Sequence, residues 1–390
     1  MNPNRGPLTV CHVITDFDAG GAERVLLRTA QRLDQKRFPS HIVSLRPSGS
    51  LSPEAERLGV EVIHLGMGRR PGPATIWQLA RLFRGRDVDI AHAYLYDASI
   101  ATRIAGRLAR TPVIVTSTRA ALSYLPRWAW WLDRVTARWC QRIIAVSRGT
   151  AAFVIEREGI PHDKVVVIPN GVDLERFRPG DKAAARSHLR VASDAFVVAC
   201  VGRLHPQKGH RYLFDAMVAT RSRIPGLLCL MAGDGPLRGA LEAEVKRQGL
   251  ETACRFLGVQ DPIQPVYDAA DVTVLPSLYE GMPNVVLEAM AMGSPVIATA
   301  VEGSVDVVEP GVTGLLVPPA DAPALGRALL ELAGDPGRCR AMRAAARIAA
   351  ERSHGIDRMV SALESLYATE WDGAMGSRPL ESARRRGPRE

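Results

Sequence analysis

The sequence predicts an α/β protein built from two consecutive doubly wound halves, and three observations point there. Short β-branched runs alternate with Ala-, Leu- and Arg-rich amphipathic stretches, an order that produces a parallel sheet with helices on both faces. The alternation runs twice, and between the two series the stretch from Pro169-Asn170-Gly171-Val172-Asp173 to Arg178-Pro179-Gly180 carries turn-forming residues. The chain has 390 residues, more than the roughly 250 that one hydrophobic core usually supports.

In the first half the strand candidates are 8–14, 41–45, 60–64, 89–93, 113–116, 142–146 and 165–168, with helical periodicity at 23–33, 76–83 and 98–109. The second half offers strands at 196–201, 227–232, 253–256, 272–275, 296–299 and 314–317. These limits assign 1–175 to the first domain and 176–354 to the second. A last helix is expected at 355–372. After it, 373–390 holds Arg378, Arg384, Arg385, Arg386 and Arg389 among Gly, Pro and Ser, a composition that cannot bury a core and predicts a disordered tail.

Composition is that of a globular protein, with 46% hydrophobic and 23% charged residues. Lys and Arg outnumber Asp and Glu by 50 to 41, and that excess suits nucleic acid, an anionic membrane or a phosphorylated substrate. No run approaches the ~20 apolar residues of a spanning helix, and residues 1–8 lack a signal-peptide pattern, so a cytoplasmic location is expected. The six cysteines are scattered without metal-type spacing and read as reduced, mostly buried thiols. No basic, aromatic-lined recognition module is present, which argues against nucleic acid.

Three motifs fall where a strand hands over to a helix, the place where open α/β sheets bind ligands. Val201-Gly202-Arg203-Leu204-His205-Pro206-Gln207-Lys208-Gly209 puts Arg203 and Lys208 on the loop leaving a strong strand. Two such cations can stabilise a leaving diphosphate, and two solvated basic residues on a loop would look the same. Glu280-Gly281-Met282-Pro283-Asn284 leads into a helix bearing Glu288, where unpaired backbone N–H groups favour a phosphate; carboxylates near a helix start are also ordinary surface features. Gly20-Gly21 opens the first helix, and both a tight turn and a close backbone approach to phosphate explain the pair. His92, placed at the end of strand 89–93, reads as a cleft residue or as a structural one. The Gly-x-Gly-x-x-Gly fingerprint is missing, which disfavours a nicotinamide dehydrogenase.

Glu-x7-Glu at Glu280 and Glu288, Gly-Arg-Leu-x-x-x-Lys-Gly at Gly202–Gly209 and Gly-Gly-Ala-Glu-Arg at Gly20–Arg24 together resemble the retaining glycosyltransferases of family four, over about residues 8–367. The resemblance implies the GT-B fold, two Rossmann-like domains facing across a cleft, with the last helix returning to the first domain. It implies a nucleoside diphosphate sugar as donor, UDP- or GDP-linked, and a sugar or lipid-linked glycan as acceptor. By the same resemblance Arg203 and Lys208 bind the donor diphosphate, Glu280 holds sugar hydroxyls and Glu288 holds the ribose. The backbone of Gly281, Met282, Pro283 and Asn284 lines sugar and phosphate, Gly20 and Gly21 approach the donor, and His92 touches sugar or acceptor. Base contacts are expected to be largely backbone ones, near 255–258 and including Arg255.

No catalytic metal or cofactor is expected. Asp87-Val88-Asp89 imitates an Asp-x-Asp metal motif but precedes its strand, on the wrong edge. Two departures from the family stand out: Thr116-Ser117-Thr118-Arg119 replaces a frequent His, and Glu302-Gly303-Ser304-Val305-Asp306 shortens a frequent Glu. A sugar-nucleotide epimerase and a non-catalytic binding subunit remain as alternatives on the same fold; product analysis separates the first and donor binding without turnover marks the second.

The stretch from Ser123 to Arg134, followed by Arg138 and Trp139, sets Trp128, Trp130 and Trp131 among arginines. A helix buried in the core of the first domain is the favoured explanation, and a helix at the inner membrane leaflet is the other.

Overall fold

A computed structural model describes residues 6–68, 70–120 and 125–376. The expected disordered tail beyond 376, and Ser123 and Tyr124 of the Trp-rich stretch, lie outside the described residues. The chain divides into two compact units, the first made of 1–146, 150–169 and the segment from Asp357, the second of 147–149 and 170–356.

In the first unit the chain runs β1 (Val10–Ile14), α1 (Gly21–Arg32), β2 (Ser40–Ser44), α2 (Ser52–Arg57), β3 (Val62–His64), α3 (Pro73–Gly85) and β4 (Ile90–Tyr94). It continues through α4 (Tyr96–Ala109), β5 (Val113–Thr118), α5 (Arg127–Ala137), β6 (Arg142–Ala145), α6 (Arg148–Glu156) and β7 (Val165–Val167). The seven strands lie in the order β3-β2-β1-β4-β5-β6-β7, every neighbouring pair parallel. Central strands β1 and β4 are buried along their whole length, which is why they read as continuous apolar runs instead of alternating ones. Cys11 and Val13 pack toward Leu79 and Phe83 of α3, while Ile14 packs toward Leu26 and Leu27 of α1.

The second unit contains α7 (Lys182–His188), β8 (Val197–Val201), α8 (His210–Thr220), β9 (Leu228–Ala232), α9 (Arg238–Arg247), β10 (Cys254–Gly258) and α10 (Gln264–Ala269). There follow β11 (Val272–Leu275), α11 (Asn284–Ala291), β12 (Val296–Thr299), β13 (Gly314–Val317), α12 (Ala322–Gly334) and α13 (Pro336–Ser353). Its six parallel strands are ordered β10-β9-β8-β11-β12-β13. Successive residues of β8 serve opposite faces: Val198 and Cys200 meet Phe214 and Met217 of α8, and Val197 and Ala199 meet Val266 of α10. All six cysteines are free thiols and five are buried.

The last helix, α14 (Ile356–Gly376), extends past the expected 372 and, from Asp357 on, belongs to the first unit. Arg32 pairs with Asp357 at 3.0 Å, the Asp34 amide donates to Glu364 at 2.9 Å, Arg142 pairs with Glu370 at 2.9 Å, and the Tyr367 ring meets Phe38 edge-on.

The Trp-rich stretch forms α5 and is not a core helix. Trp130 packs edge-on against Phe153, whereas Trp128 and Trp131 are 56% and 64% exposed.

Candidate active site

In both sheets the strand order reverses between the first and fourth strands, β1 and β4 in one unit, β8 and β11 in the other. Connections leaving such neighbours run to opposite faces and open a crevice at the carboxyl ends. In the second unit the loop after β8 contains Arg203 and Lys208, and the loop after β11 contains Glu280, so this reversal brings two distant stretches together.

The two loops are laced to each other. The Leu278 amide donates to the Gln207 carbonyl at 2.7 Å, and the Gln207 side-chain amide donates to the Tyr279 carbonyl at 2.8 Å. Gly209 allows this approach. Its φ is +62°, and a Cβ there would stand 2.1 Å from the Pro276 carbonyl oxygen. The result is a contact between Lys208 Nζ and Glu280 Oε1 at 2.5 Å, with only 17% and 9% of the two side chains exposed. Ser277 Oγ donates to the same Oε1 at 2.7 Å. Among the described residues Glu280 Oε2 has no hydrogen-bond partner, so it remains able to accept from a ligand hydroxyl. The Lys208 ammonium has three donors and spends one on Glu280, so it can turn another toward an anion.

Arg203 lies on the same loop, exposed and without an ion-pair partner among the described residues. Gly281, Met282 and Pro283 are buried and lead into α11, whose N-terminus at Pro283 has no side-chain cap; α8, starting after Gly209, has none either. Two helix N-termini whose N-cap residues supply no side-chain cap therefore stand at the crevice, with the positive ends of their dipoles there. Glu288 sits on α11, where Tyr267 Oη donates to its Oε2 at 2.8 Å.

Several shaping residues escaped the sequence reading. Asn170 Nδ2 donates to the Met282 carbonyl at 3.3 Å and to Asn284 Oδ1 at 2.8 Å, bracing the turn into α11. A Cβ on Gly303 would lie 2.1 Å from the Gly281 carbonyl, so the loop after β12 packs directly against the Glu280 loop. Ser277 and Tyr267 orient the two carboxylates. Asn170 at least stood in a visible Pro-Asn-Gly turn; Ser277 and Tyr267 had no local signal, because their partners are set by tertiary packing.

Two expected site residues lie inside strands, and for His92 the position differs from the expected strand end. His92 is the third residue of β4 and fully buried, not a strand-end residue. Its Nδ1 lies 2.5 Å from Tyr367 Oη, its Nε2 lies 2.7 Å from Ser117 Oγ, and Tyr94 stacks on it at 4.3 Å. Burial, together with His12 and Arg119 nearby, holds its pKa well below the usual histidine value. In this structure both ring nitrogens lie within hydrogen-bond distance of protein hydroxyls. Arg255 is the second residue of β10, away from the carboxyl end at Gly258, and its guanidinium donates to the carbonyls of Leu189 and Arg190, fastening the end of α7.

Gly20 and Gly21 begin α1, where Glu23 folds back so closely that a Cβ on Gly20 would lie 2.1 Å from its carboxylate oxygen. A side chain at Gly20 would have to displace the Glu23 carboxylate from the start of the helix. Asp89 precedes β4 and accepts the Thr9 amide at 3.0 Å, a structural bond at the amino edge of the sheet.

Comparison with known proteins agrees with this architecture. Residues 19–176 match the family described as Glycosyltransferase Family 4, and residues 195–335 match Glycosyl transferases group 1. A D-inositol 3-phosphate glycosyltransferase of Actinosynnema mirum is 30% identical over 393 residues, covering 91% of this chain and 93% of the relative. UDP-Gal:alpha-D-GlcNAc-diphosphoundecaprenol alpha-1,3-galactosyltransferase of Escherichia coli is 27% identical over 353 residues, covering 86% and 90%. Among solved structures, Anabaena HepE in complex with UDP-glucose superimposes with a TM-score of 0.84 at 23% identity, over 93% of this chain and all of that one. Fold and matches together define a glycosyltransferase of the GT-B type. The chain belongs to glycosyltransferase family 4.

Proposed function

We propose that the enzyme moves a hexose-type unit from a nucleoside diphosphate sugar to a sugar or lipid-linked glycan acceptor, with retention of anomeric configuration and without a metal. The observation that supports this most is the Lys208–Glu280 pair, held between two uncapped helix N-termini at the β8/β11 crevice. In this reading Lys208 and exposed Arg203 take the diphosphate and stabilise the charge that grows on it as the glycosidic bond breaks. Glu280 Oε2 accepts a sugar hydroxyl. Glu288, steadied by Tyr267, accepts from the ribose.

Retention without an enzymic nucleophile fits a same-face substitution, in which the departing phosphate accepts the proton of the incoming hydroxyl. The acceptor class draws support from the Escherichia coli relative, a galactosyltransferase named for a diphosphoundecaprenol-linked GlcNAc acceptor, and the donor class from the UDP-glucose bound in HepE.

Thermal-shift measurements against UDP, GDP, ADP and their hexose conjugates test the donor, because a ligand that binds only the folded state raises its melting temperature. One nucleotide family should shift the melt. If none does, the donor reading fails. NMR of the product then reads the anomeric configuration, and an isomerised sugar nucleotide with no glycoside formed would replace the transferase reading with an epimerase.

A further inference from the structure

Helices α3, α4 and α5 pack in sequence, α3 on α4 and α4 on α5, along one face of the first sheet. Half of the six tryptophans sit on the outer surface of this layer, with Trp77 on α3 59% exposed and Trp128 and Trp131 on α5 at 56% and 64%. Helical phase explains why. Ala129, Asp133, Thr136 and Ala137 turn inward, so Arg127, Trp131, Arg134 and Arg138 form the opposite, exposed line.

Charge on this face is uncompensated. The one acidic residue of α5, Asp133, is turned inward onto the buried Arg103 at 2.8 Å, and α3 has no acidic residue. Among the described residues no carboxylate pairs with Arg127, Arg134 or Arg138. The α1 side of the same unit behaves differently, since Arg24 and Arg28 meet Glu54 and Arg32 meets Asp357. Arginines without a carboxylate partner, Arg138 among them stacked over Trp139, therefore coincide with exposed tryptophans on one surface, where Arg81 also lies over Trp77.

A tryptophan has an apolar body and one N–H, and it is at rest where a hydrocarbon layer meets water. Unpaired arginines beside it match the phosphates of an anionic leaflet. We infer that the α5 face, extended by Trp77, is a docking surface for an anionic bilayer, with Trp128 and Trp131 at headgroup level and Arg127, Arg134 and Arg138 against lipid phosphate. Helix α5 starts from the carboxyl end of β5, the same sheet edge from which the Gly20-Gly21 loop leaves β1. Docking brings that edge to the headgroups. The usefulness of this for catalysis rests on the lipid-linked acceptor proposed above; the docking itself does not.

The test is flotation of the full chain with vesicles of phosphatidylglycerol and phosphatidylcholine, against vesicles of phosphatidylcholine alone. Wild type should float with the anionic vesicles, and salt should weaken it. Trp128→Ser/Trp131→Ser should lower the partition by about tenfold, and Arg→Gln at 127, 134 and 138 by roughly fivefold for each charge lost. These side chains are exposed, so both variants should keep the wild-type melting temperature and nucleotide-induced shift.

Equal binding to neutral and anionic vesicles, no binding, or undiminished binding by folded variants would overturn the inference. So would a concentration-dependent dimer that the Trp double variant abolishes while vesicles are ignored. Undiminished transfer to a lipid-linked acceptor by a variant that no longer floats would uphold the docking surface and remove only its usefulness for catalysis. Vesicle binding without transfer to any lipid-linked acceptor would uphold the docking and sink the acceptor reading alone.

Discussion

Replacing Lys208 by Met keeps much of the side chain's volume and removes its charge, which leaves the carboxylate of Glu280, a residue 8% exposed, with the Ser277 hydroxyl as its remaining partner among the described residues. Deleting one member of a fully buried ion pair costs 3–5 kcal/mol, and the residual exposure here together with the Ser277 bond brings the expectation to about 2–3 kcal/mol. Glu280→Gln should cost less, about 1–2 kcal/mol, because the flexible lysine can turn its ammonium to solvent. The double variant then removes both charges, and the cycle should show a coupling of about 2 kcal/mol.

The chain offers a convenient assay. All six tryptophans lie in the first unit and none in the second, so fluorescence follows the first while far-UV circular dichroism follows both. In urea titrations the Lys208→Met change should move the dichroism transition and spare the fluorescence one. Activity should fall by about a hundredfold, the usual cost of one pre-aligned transition-state contact. Additivity of the two substitutions within about 0.5 kcal/mol would refute the pairing argument.

Other expectations follow from burial and backbone geometry. Burial first, then the neighbouring Asp133, pushes Glu158 up to about 8, against relief from Arg103. The folded state thus holds this proton more tightly than the unfolded chain, and stability drains away as pH rises from about 4.5 to 8. Glu158→Gln should therefore melt higher than wild type at pH 8.5, by up to about 4 kcal/mol, and should match it at pH 4.5; equal melts at pH 8.5 would remove the argument. His12 is lowered to about 3 by burial and His41 nearby, His41 to about 4 by burial and Arg86, and His92 lies well below its ordinary value. Unfolding lets all three take protons below about 6.5, so the fluorescence transition should weaken by about 2 kcal/mol per histidine between pH 6.5 and 5. A flat profile over that range would contradict their neutral burial. Gly209→Ala should cost more than 2 kcal/mol through its positive φ and the Pro276 carbonyl, whereas Gly239→Ala in α9, with open space around it, should stabilise by roughly 0.5–1 kcal/mol. Opposite signs are the checkable outcome in denaturant titrations.

Much of this architecture could be read from the chain because parallel strands are buried on both faces, and runs such as Val197–Val201 and Val272–Leu275 announce that without help from neighbours. The site motifs were readable where position follows from topology: a residue just past a strand's carboxyl end, as with Lys208 and Glu280, lands at the crevice. His92 failed that rule by a small shift. Moving the strand end from Ala93 to Tyr94 turns an edge residue into a central one, and strand ends are poorly marked when flanking residues are equally apolar. Arg255 lies within its strand as the pattern indicated, and what the pattern left out is the tie of its guanidinium to the end of α7. The exposure of Trp128 and Trp131 was available in principle, since small residues at 129, 133, 136 and 137 already define the inner face of α5. What no local pattern reveals is which distant group meets a given side chain: Asn170 under Met282, Tyr267 on Glu288, Tyr367 on His92.

The most direct measurement is calorimetric titration of wild type and Lys208→Met with UDP, GDP and ADP. If the β8/β11 crevice holds the donor diphosphate, one nucleotide should bind the wild-type enzyme, and the variant should bind it at least about tenfold more weakly, as loss of a charge-assisted contact implies. Equal affinity in a folded variant, or no binding of any of the three, would contradict the account.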